Sequence, residues 1–219
     1  MNKILIAPST DPCALSELNI YVENLLNSGA DWIHCDVMDG VFVEKCNFKP
    51  INLAKMKNIA AFFDVHLMVE NPMAVIDEYI AAGASSISVH VEAFSSLDAL
   101  REVIEYIHSH VVKAGVVINP ATKVDAIVDI LSSVDMVLVM SVVPGKSGQA
   151  FMPVVLPKIS YLDSIRKEKG YHYLIEVDGG INENTITLVK KAGADIAVVG
   201  SAMFNTENKR DYIAKLKNL

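Results

Sequence analysis

The chain has 219 residues, 52% of them hydrophobic and 21% charged, enough apolar material for a sizeable core in one domain spanning residues 1–219. A formal net charge of −7 with no Lys/Arg run excludes the basic patch that a nucleic-acid backbone requires. No apolar run reaches the roughly 18 residues of a membrane span, the opening MNKILIAPST lacks the regions of a signal peptide, and three cysteines without CxxC spacing suit a reducing compartment, so a cytoplasmic location is expected.

Short β-branched runs alternate with amphipathic stretches along the chain. KILIAP (3–8) is the first predicted strand, followed by the helical stretch ALSELNIYVENLLNSG with Leu15, Leu18, Val22, Leu25 and Leu26 on one side. WIHCDV (32–37) and AFFDVHLM (61–68) are the second and third strands, and MAVIDEYIAAG is the helix before the fourth, SISVHV (86–91). AGVVIN (114–119), MVLVMSV (136–142) and YLIEVD (173–178) follow, and ENTITLVKKAG leads into the eighth, DIAVVG (195–200). The helical stretches close on glycine with a strand at once behind, a junction that recurs as SGADWI (28–33), AGASSI (82–87) and AGADIA (192–197). Alternating βα units imply a parallel sheet, and eight of them at about 27 residues each close into an α/β fold of the (β/α)8 TIM-barrel class. An open doubly wound sheet would carry a glycine-rich turn after its first strand, where this chain reads APSTDPCA.

In a strand, residues i and i+2 share a face, so His34 and Asp36 point one way while Ile33, Cys35 and Val37 point the other. A core histidine bonded to a neighbouring carboxylate explains these two residues as well as a functional site does. The remaining strands break the tie, because a barrel of this kind carries its site at the carboxyl ends of the strands. Ser9 follows the first strand; His34, Asp36 and Asp39 end the second, His66 the third, and His90 with Glu92 the fourth. Asn119, Ser141, Asp178 and Ser201 end the fifth to eighth. Among them His34, Asp36, His66 and Asp178 make a donor set that suits one divalent ion, zinc, manganese, iron or cobalt.

VDGGI (177–181) and VGSAMF (199–204) present backbone N–H groups where such barrels hold phosphate, so a small phosphorylated molecule is the expected ligand. Tight turns are the plainer explanation of the same glycines. MSVVPGKSGQAF (140–151) forms a loop suited to closing over that ligand. Met38, Met68 and Met140 stand beside strand ends as an apolar lining that excludes water. His90 and Glu92 either orient their neighbours or satisfy each other. His108, His110 and His172 receive no role.

In order along the chain, WIHCDVMDG, FDVHLMVENP, ISVHVE, AGVVINPAT, VLVMSVVPGKSGQAF, IEVDGGI and AVVGSAMF resemble the ribulose-phosphate 3-epimerase family over essentially its whole length. The resemblance implies a ribulose-phosphate-binding barrel and an isomerase of the pentose phosphate pathway that inverts carbon 3 of D-ribulose 5-phosphate, giving D-xylulose 5-phosphate. It implies that His34, Asp36, His66 and Asp178 hold one divalent metal, and that Asp36 and Asp178 act as base and acid on opposite faces of a metal-stabilised enediolate. Inversion needs such a pair, because the proton removed beside the ketone must be replaced from the other side. The resemblance further places Ser9, His66 and Asp178 against the substrate, and Gly179, Gly180, Gly200 and Ser201 against its phosphate. Gly145, Lys146, Ser147 and Gly148 fall in the mobile loop over it. No organic cofactor is implied, and a homo-oligomer is expected.

The chain also departs from the family pattern. After MDG the usual HFVPNITFGP is replaced by VFVEKCNFKP, which brings in Glu44, Lys45, Cys46, Asn47 and Lys49. PSTDPCAL stands for the usual PSILSADF, and VPGKSGQAF for NPGFGGQSF, with Val143 and Lys146 new. These changes surround the sugar rather than the metal, so the chemistry is expected to stand while the substrate lies between the pentulose phosphate and a six-carbon ketose such as D-allulose 6-phosphate. A non-catalytic sugar-phosphate-binding barrel is the alternative from another class, since fold alone does not establish function.

Overall fold

A computed structural model describes residues 3–219, so the first two residues of the expected 1–219 unit lie outside the described residues. The strands are β1 (Leu5–Pro8), β2 (Ile33–Asp39), β3 (Cys46–Asn47), β4 (Phe63–Met68), β5 (Ser86–His90), β6 (Lys113–Ile118), β7 (Met136–Met140), β8 (Leu174–Asp178) and β9 (Ile196–Val199). The helices are α1 (Leu18–Asn27), α2 (Pro50–Met56), α3 (Ile76–Ala82), α4 (Leu97–Ser109), α5 (Leu156–Lys169), α6 (Ile186–Ala192), α7 (Ser201–Asn205) and α8 (Lys209–Asn218). Apart from β3, the strands run parallel in the spatial order β1-β9-β8-β7-β6-β5-β4-β2. The ring closes where Ser9 bridges His34 and the Thr10 N–H donates to the His34 carbonyl at 2.9 Å. This is the (β/α)8 barrel that strict alternation requires. Among the described residues, no helix is long and apolar enough to cross a membrane.

Three local features differ from the sequence expectation. First, β3 is an addition: two residues fold back antiparallel onto Met38 and Asp39 at the barrel mouth. Second, strand ends move. The 136–142 run stops at Met140, because Ser141 and Val142 stay buried beyond the ladder and prolong the apolar pattern. Third, no α-helix joins β6 to β7. Two 3₁₀ segments, Val124–Ala126 and Val128–Ser133, take its place. Val124, Ile127 and Ile130 are buried at steps of three, the period of a 3₁₀ turn.

α3 and α6 end on Gly83 and Gly193 in the left-handed conformation, as the recurring junction predicts. α4 breaks that rule, because the chain leaves its C-cap His110 through Val111 at φ 61°. A left-handed conformation costs a non-glycine residue roughly 1–2 kcal/mol, and β-branching makes it no cheaper. The Val111 side chain is 96% exposed, so burial offers no compensation. Val111→Gly is therefore expected to stabilise the protein by about 1 kcal/mol once glycine's extra unfolded-state freedom is subtracted. In a chain of this size that is a rise of about 2–4 °C in Tm. Thermal melting followed by circular dichroism checks it, and an unchanged or lower Tm would refute the strain.

The two faces of each strand have different surroundings. Outward residues such as Ile33, Cys35, Val37, Val65, Leu67, Ile87 and Val89 pack under the helices. The interior is divided. One flank is apolar, with Ala7, Met136, Ile196 and Val198 in one cluster and Val117, Leu138 and Met140 in another. β2, β4 and β5 instead bury His34, Asp36, Asp64, His66, Ser86, Ser88 and His90, and β8 adds Glu176, 3.5 Å from His34 Nδ1. So many buried polar groups require partners inside the barrel.

Candidate active site

Parallel register assembles those partners. β2 and β4 pair so that Asp36 stands beside His66 and His34 beside Asp64. His34, Asp36, His66 and Asp178 offer donor atoms that all lie within 4.8 Å of one another. Asp36 Oδ1 is 3.4 Å from His34 Nε2 and 3.2 Å from His66 Nδ1, while its Oδ2 accepts a 2.6 Å hydrogen bond from Ser9 Oγ. Among the described residues, His34 Nε2 is fully buried and has no hydrogen-bond partner. An unpaired buried nitrogen is costly, and here it faces two carboxylates and a second imidazole, a set that fits a divalent transition metal.

Each histidine is held from behind. His34 Nδ1 lies 2.6 Å from Asp64 Oδ2, and Asp64 Oδ1 accepts from Ser86 Oγ at 2.6 Å. A proton on Nδ1 therefore serves Asp64 and leaves the Nε2 lone pair turned toward the donor set. His66 Nε2 faces His90 Nε2 at 2.9 Å, and His90 Nδ1 lies 3.1 Å from Glu92 Oε2. The other Glu92 oxygen accepts from the Asn119 N–H at 2.9 Å and from the Thr122 hydroxyl. When His66 uses Nδ1 as a donor to metal, its proton sits on Nε2, and the chain can run only from His66 through His90 to Glu92. Asp64 and Glu176 were missed in the sequence. The signal was present, since each stands two residues before a candidate ligand, in FDVH and EVD, on the same strand face.

Burial pulls the His34 pKa down, but Asp36, Asp64 and Glu176 outweigh it and hold it well above the ordinary value. Burial raises Asp36, yet His34 and His66 prevail and keep it well below the usual carboxylate range. Asp178 goes the other way: burial first, and then the Asp36 charge, push it up to about 7. The two neighbouring carboxylates are thus shifted in opposite directions.

Glu176 is buried with neither oxygen hydrogen-bonded, and burial together with the Asp64 charge pushes its pKa from 4.5 to about 8. A carboxyl raised on folding gives stability that is full below the unfolded pKa and is lost as pH rises through the folded one. Glu176→Gln removes that dependence at nearly constant shape. The Tm of the metal-free variant should fall less than that of the metal-free wild type between about pH 5 and about pH 8. Equal slopes would show that another group titrates.

Above the donor set lies a cleft open to solvent at the barrel mouth. It is lined by Ser9, Asp36, Met38, Met68, Met140, Gly145, Lys146, Ser147, Gly148, Asp178, Gly179, Gly180, Gly200 and Ser201, with His34 and His66 buried beneath. A side chain at Gly180 would place its Cβ 2.4 Å from the Phe151 nitrogen, at φ +64°, so only glycine fits where the loops after β7 and β8 meet. Ser141 Oγ ties those loops together by donating to the Asp178 and Gly179 carbonyls at 2.8 and 2.7 Å. Gln149 Nε2 braces the β7 loop from inside through the Val143 and Lys146 carbonyls. The Lys146 ammonium leans out to Glu44 at 3.9 Å, an exposed pair worth little. Asp39 stays outside the site: it accepts from the N–H groups of Val41, Phe42 and Glu70 and shapes the loop after β2. Asp11 and Gln149 line the cleft without having been singled out in the sequence.

Eight parallel strands with a His/Asp donor set and glycine-rich loops at their carboxyl ends define a (β/α)8-barrel enzyme whose chemistry sits at the mouth. The chain belongs to the Ribulose-phosphate 3 epimerase family, which matches residues 5–204. It is 40% identical over 216 residues to the ribulose-phosphate 3-epimerase of Synechocystis sp., covering 98% of this chain and 94% of that one. To the ribulose-phosphate 3-epimerase of Bacillus subtilis it is 39% identical over 216 residues, covering 98% of both. It is an isomerase. Among solved structures, the 3-hexulose-6-phosphate synthase from Salmonella typhimurium shares the fold with a TM-score of 0.73 at 15% identity, covering 98% of this chain and 97% of that one.

Proposed function

We propose that the enzyme inverts carbon 3 of D-ribulose 5-phosphate to give D-xylulose 5-phosphate, with Asp36 as base and Asp178 as acid in that direction. The observation that carries this reading is the pair itself: two carboxylates of one donor set line the same cleft from β2 and β8, strands that are not neighbours in the ring. Ionised Asp36, oriented by the Ser9 hydroxyl, takes the carbon-3 proton. Asp178 delivers a proton to the opposite face, and the roles exchange in reverse.

His34, Asp36, His66 and Asp178 would hold one divalent ion, with zinc, manganese, iron and cobalt all suited to these donors. When bound, it supplies Lewis-acid stabilisation of the negative charge that develops on the substrate oxygens. Backbone N–H groups of Gly179, Gly180, Gly200 and Ser201 receive the phosphate. The loop carrying Gly145, Lys146, Ser147 and Gly148 covers the substrate, and Met38, Met68 and Met140 exclude water from it.

A second reading, a six-carbon ketose phosphate such as D-allulose 6-phosphate, is favoured by one feature: Asp11, Lys45 and Asn47 form a bonded polar cluster beside the cleft. Proton NMR of the metal-loaded enzyme in D₂O decides between them. Deuterium entering carbon 3 of ribulose 5-phosphate, with xylulose 5-phosphate appearing, is the expected result. Conversion of the hexulose phosphate alone would establish the second reading, and silence with both would leave a binding protein.

A further inference from the structure

The cleft holds a third acidic side chain that two-carboxylate chemistry leaves unused. Asp11 follows β1, and its side chain is 4% exposed. It lines the cleft together with Ser9, Asp36 and Asp178 but lies outside the four-residue donor set. Its Oδ1 accepts from the Lys45 ammonium and, at 2.7 Å, from Asn47 Nδ2. Its main-chain N–H donates to Ser9 Oγ at 3.0 Å, and that hydroxyl donates in turn to Asp36 Oδ2 at 2.6 Å. The Asp11 backbone is thus tied to the proposed base. Among the described residues, Oδ2 receives no hydrogen bond.

Asp11 lies in PSTDPCAL, while Lys45 and Asn47 lie in VFVEKCNFKP, the two stretches in which the front of the chain leaves the family pattern. Changes more than 30 residues apart meet here in one bonded cluster, with separations of 34 and 36 residues. Asp11 Oδ2 is open to the cleft rather than buried without a partner, so it is available to a donor on a bound ligand. The substrate's phosphate cannot provide one, because like charges repel. A neutral hydroxyl can, through a short charge-assisted hydrogen bond.

We propose that Asp11, anchored by Lys45 and Asn47, is a specificity-determining residue that accepts a hydrogen bond from a hydroxyl of an open-chain ketose phosphate. The inference rests on the sugar-phosphate reading above. It makes the enzyme discriminate against the substrate analogue that lacks the recognised hydroxyl, while the metal set is left untouched.

Steady-state kinetics of the metal-loaded wild type, Asp11→Leu and Asp11→Asn, with D-ribulose 5-phosphate and its 1-deoxy and 4-deoxy analogues, test it. Asparagine keeps an oxygen for Lys45 and Asn47 and exchanges the free acceptor for a donor, so it reports on recognition even if the leucine variant folds poorly. For ribulose 5-phosphate, kcat/KM should fall about 10- to 100-fold in Asp11→Leu, chiefly through KM, and less in Asp11→Asn. With one of the two deoxy analogues, wild type and variants should perform alike. Equal losses on all three substrates would reduce Asp11 to a structural brace, and no loss on any would remove it from recognition; either overturns the proposal. Wild-type turnover of ribulose 5-phosphate and D-allulose 6-phosphate is scored first. Failure on both would sink the sugar-phosphate reading itself, whereas turnover indifferent to Asp11 sinks only its role.

Discussion

Asp36→Asn and Asp178→Asn should each stop exchange of the substrate's carbon-3 hydrogen with solvent, lowering kcat by about 10²–10⁴-fold while the barrel stays folded. Asparagine preserves shape but can fill neither the base role proposed for Asp36 nor the acid role proposed for Asp178. The two variants should differ in their side effects. Asp36 also accepts from Ser9 and approaches both His34 and His66, so its replacement loosens the donor set as well as removing the base. Asp178 closes that set from β8, across the mouth from β2. Deuterium incorporation measured by proton NMR, with circular dichroism as the folding control, separates loss of chemistry from loss of structure. Exchange at the wild-type rate in either variant would disprove the two-carboxylate assignment.

Removal of the divalent ion by chelation should abolish turnover and leave the fold in place, with activity restored by adding back zinc, manganese, iron or cobalt. The donor atoms are already gathered by strand register, and His34 Nε2 is left without any other partner. The support behind His66 should matter almost as much. Without His90, nothing fixes the proton of His66 on Nε2, so His90→Ala is expected to weaken metal binding about 10- to 100-fold. Competition against a chromogenic chelator reads this without reference to catalysis, and excess metal should recover much of the lost kcat. Full activity after chelation would eliminate the metal, and wild-type affinity in His90→Ala would eliminate the histidine chain.

Much of the site was legible because the i, i+2 rule is local. It separated His34 and Asp36 from Ile33, Cys35 and Val37, and the structure sends the latter three to the helix-facing core. The same rule, applied to FDVH and EVD, would have exposed Asp64 and Glu176, which were passed over because only polar residues at the strand ends were weighed. His90 and Glu92 stayed ambiguous for a different reason. Their role depends on the 2.9 Å contact with His66, a distance between neighbouring strands that no periodicity reports.

By itself, the sequence determined the alternation of strand and helix, the number of barrel strands, the inward face of β2 and the glycines that close α3 and α6, because these follow from side-chain periodicity and backbone preference over a few residues. Only the tertiary structure decided the 3₁₀ passage before β7, the left-handed turn at Val111 and the meeting of Asp11 with Lys45 and Asn47. Those depend on how the closed ring sets register and depth. Closure fixes which residues of distant segments come within hydrogen-bond reach, and no local preference carries that information.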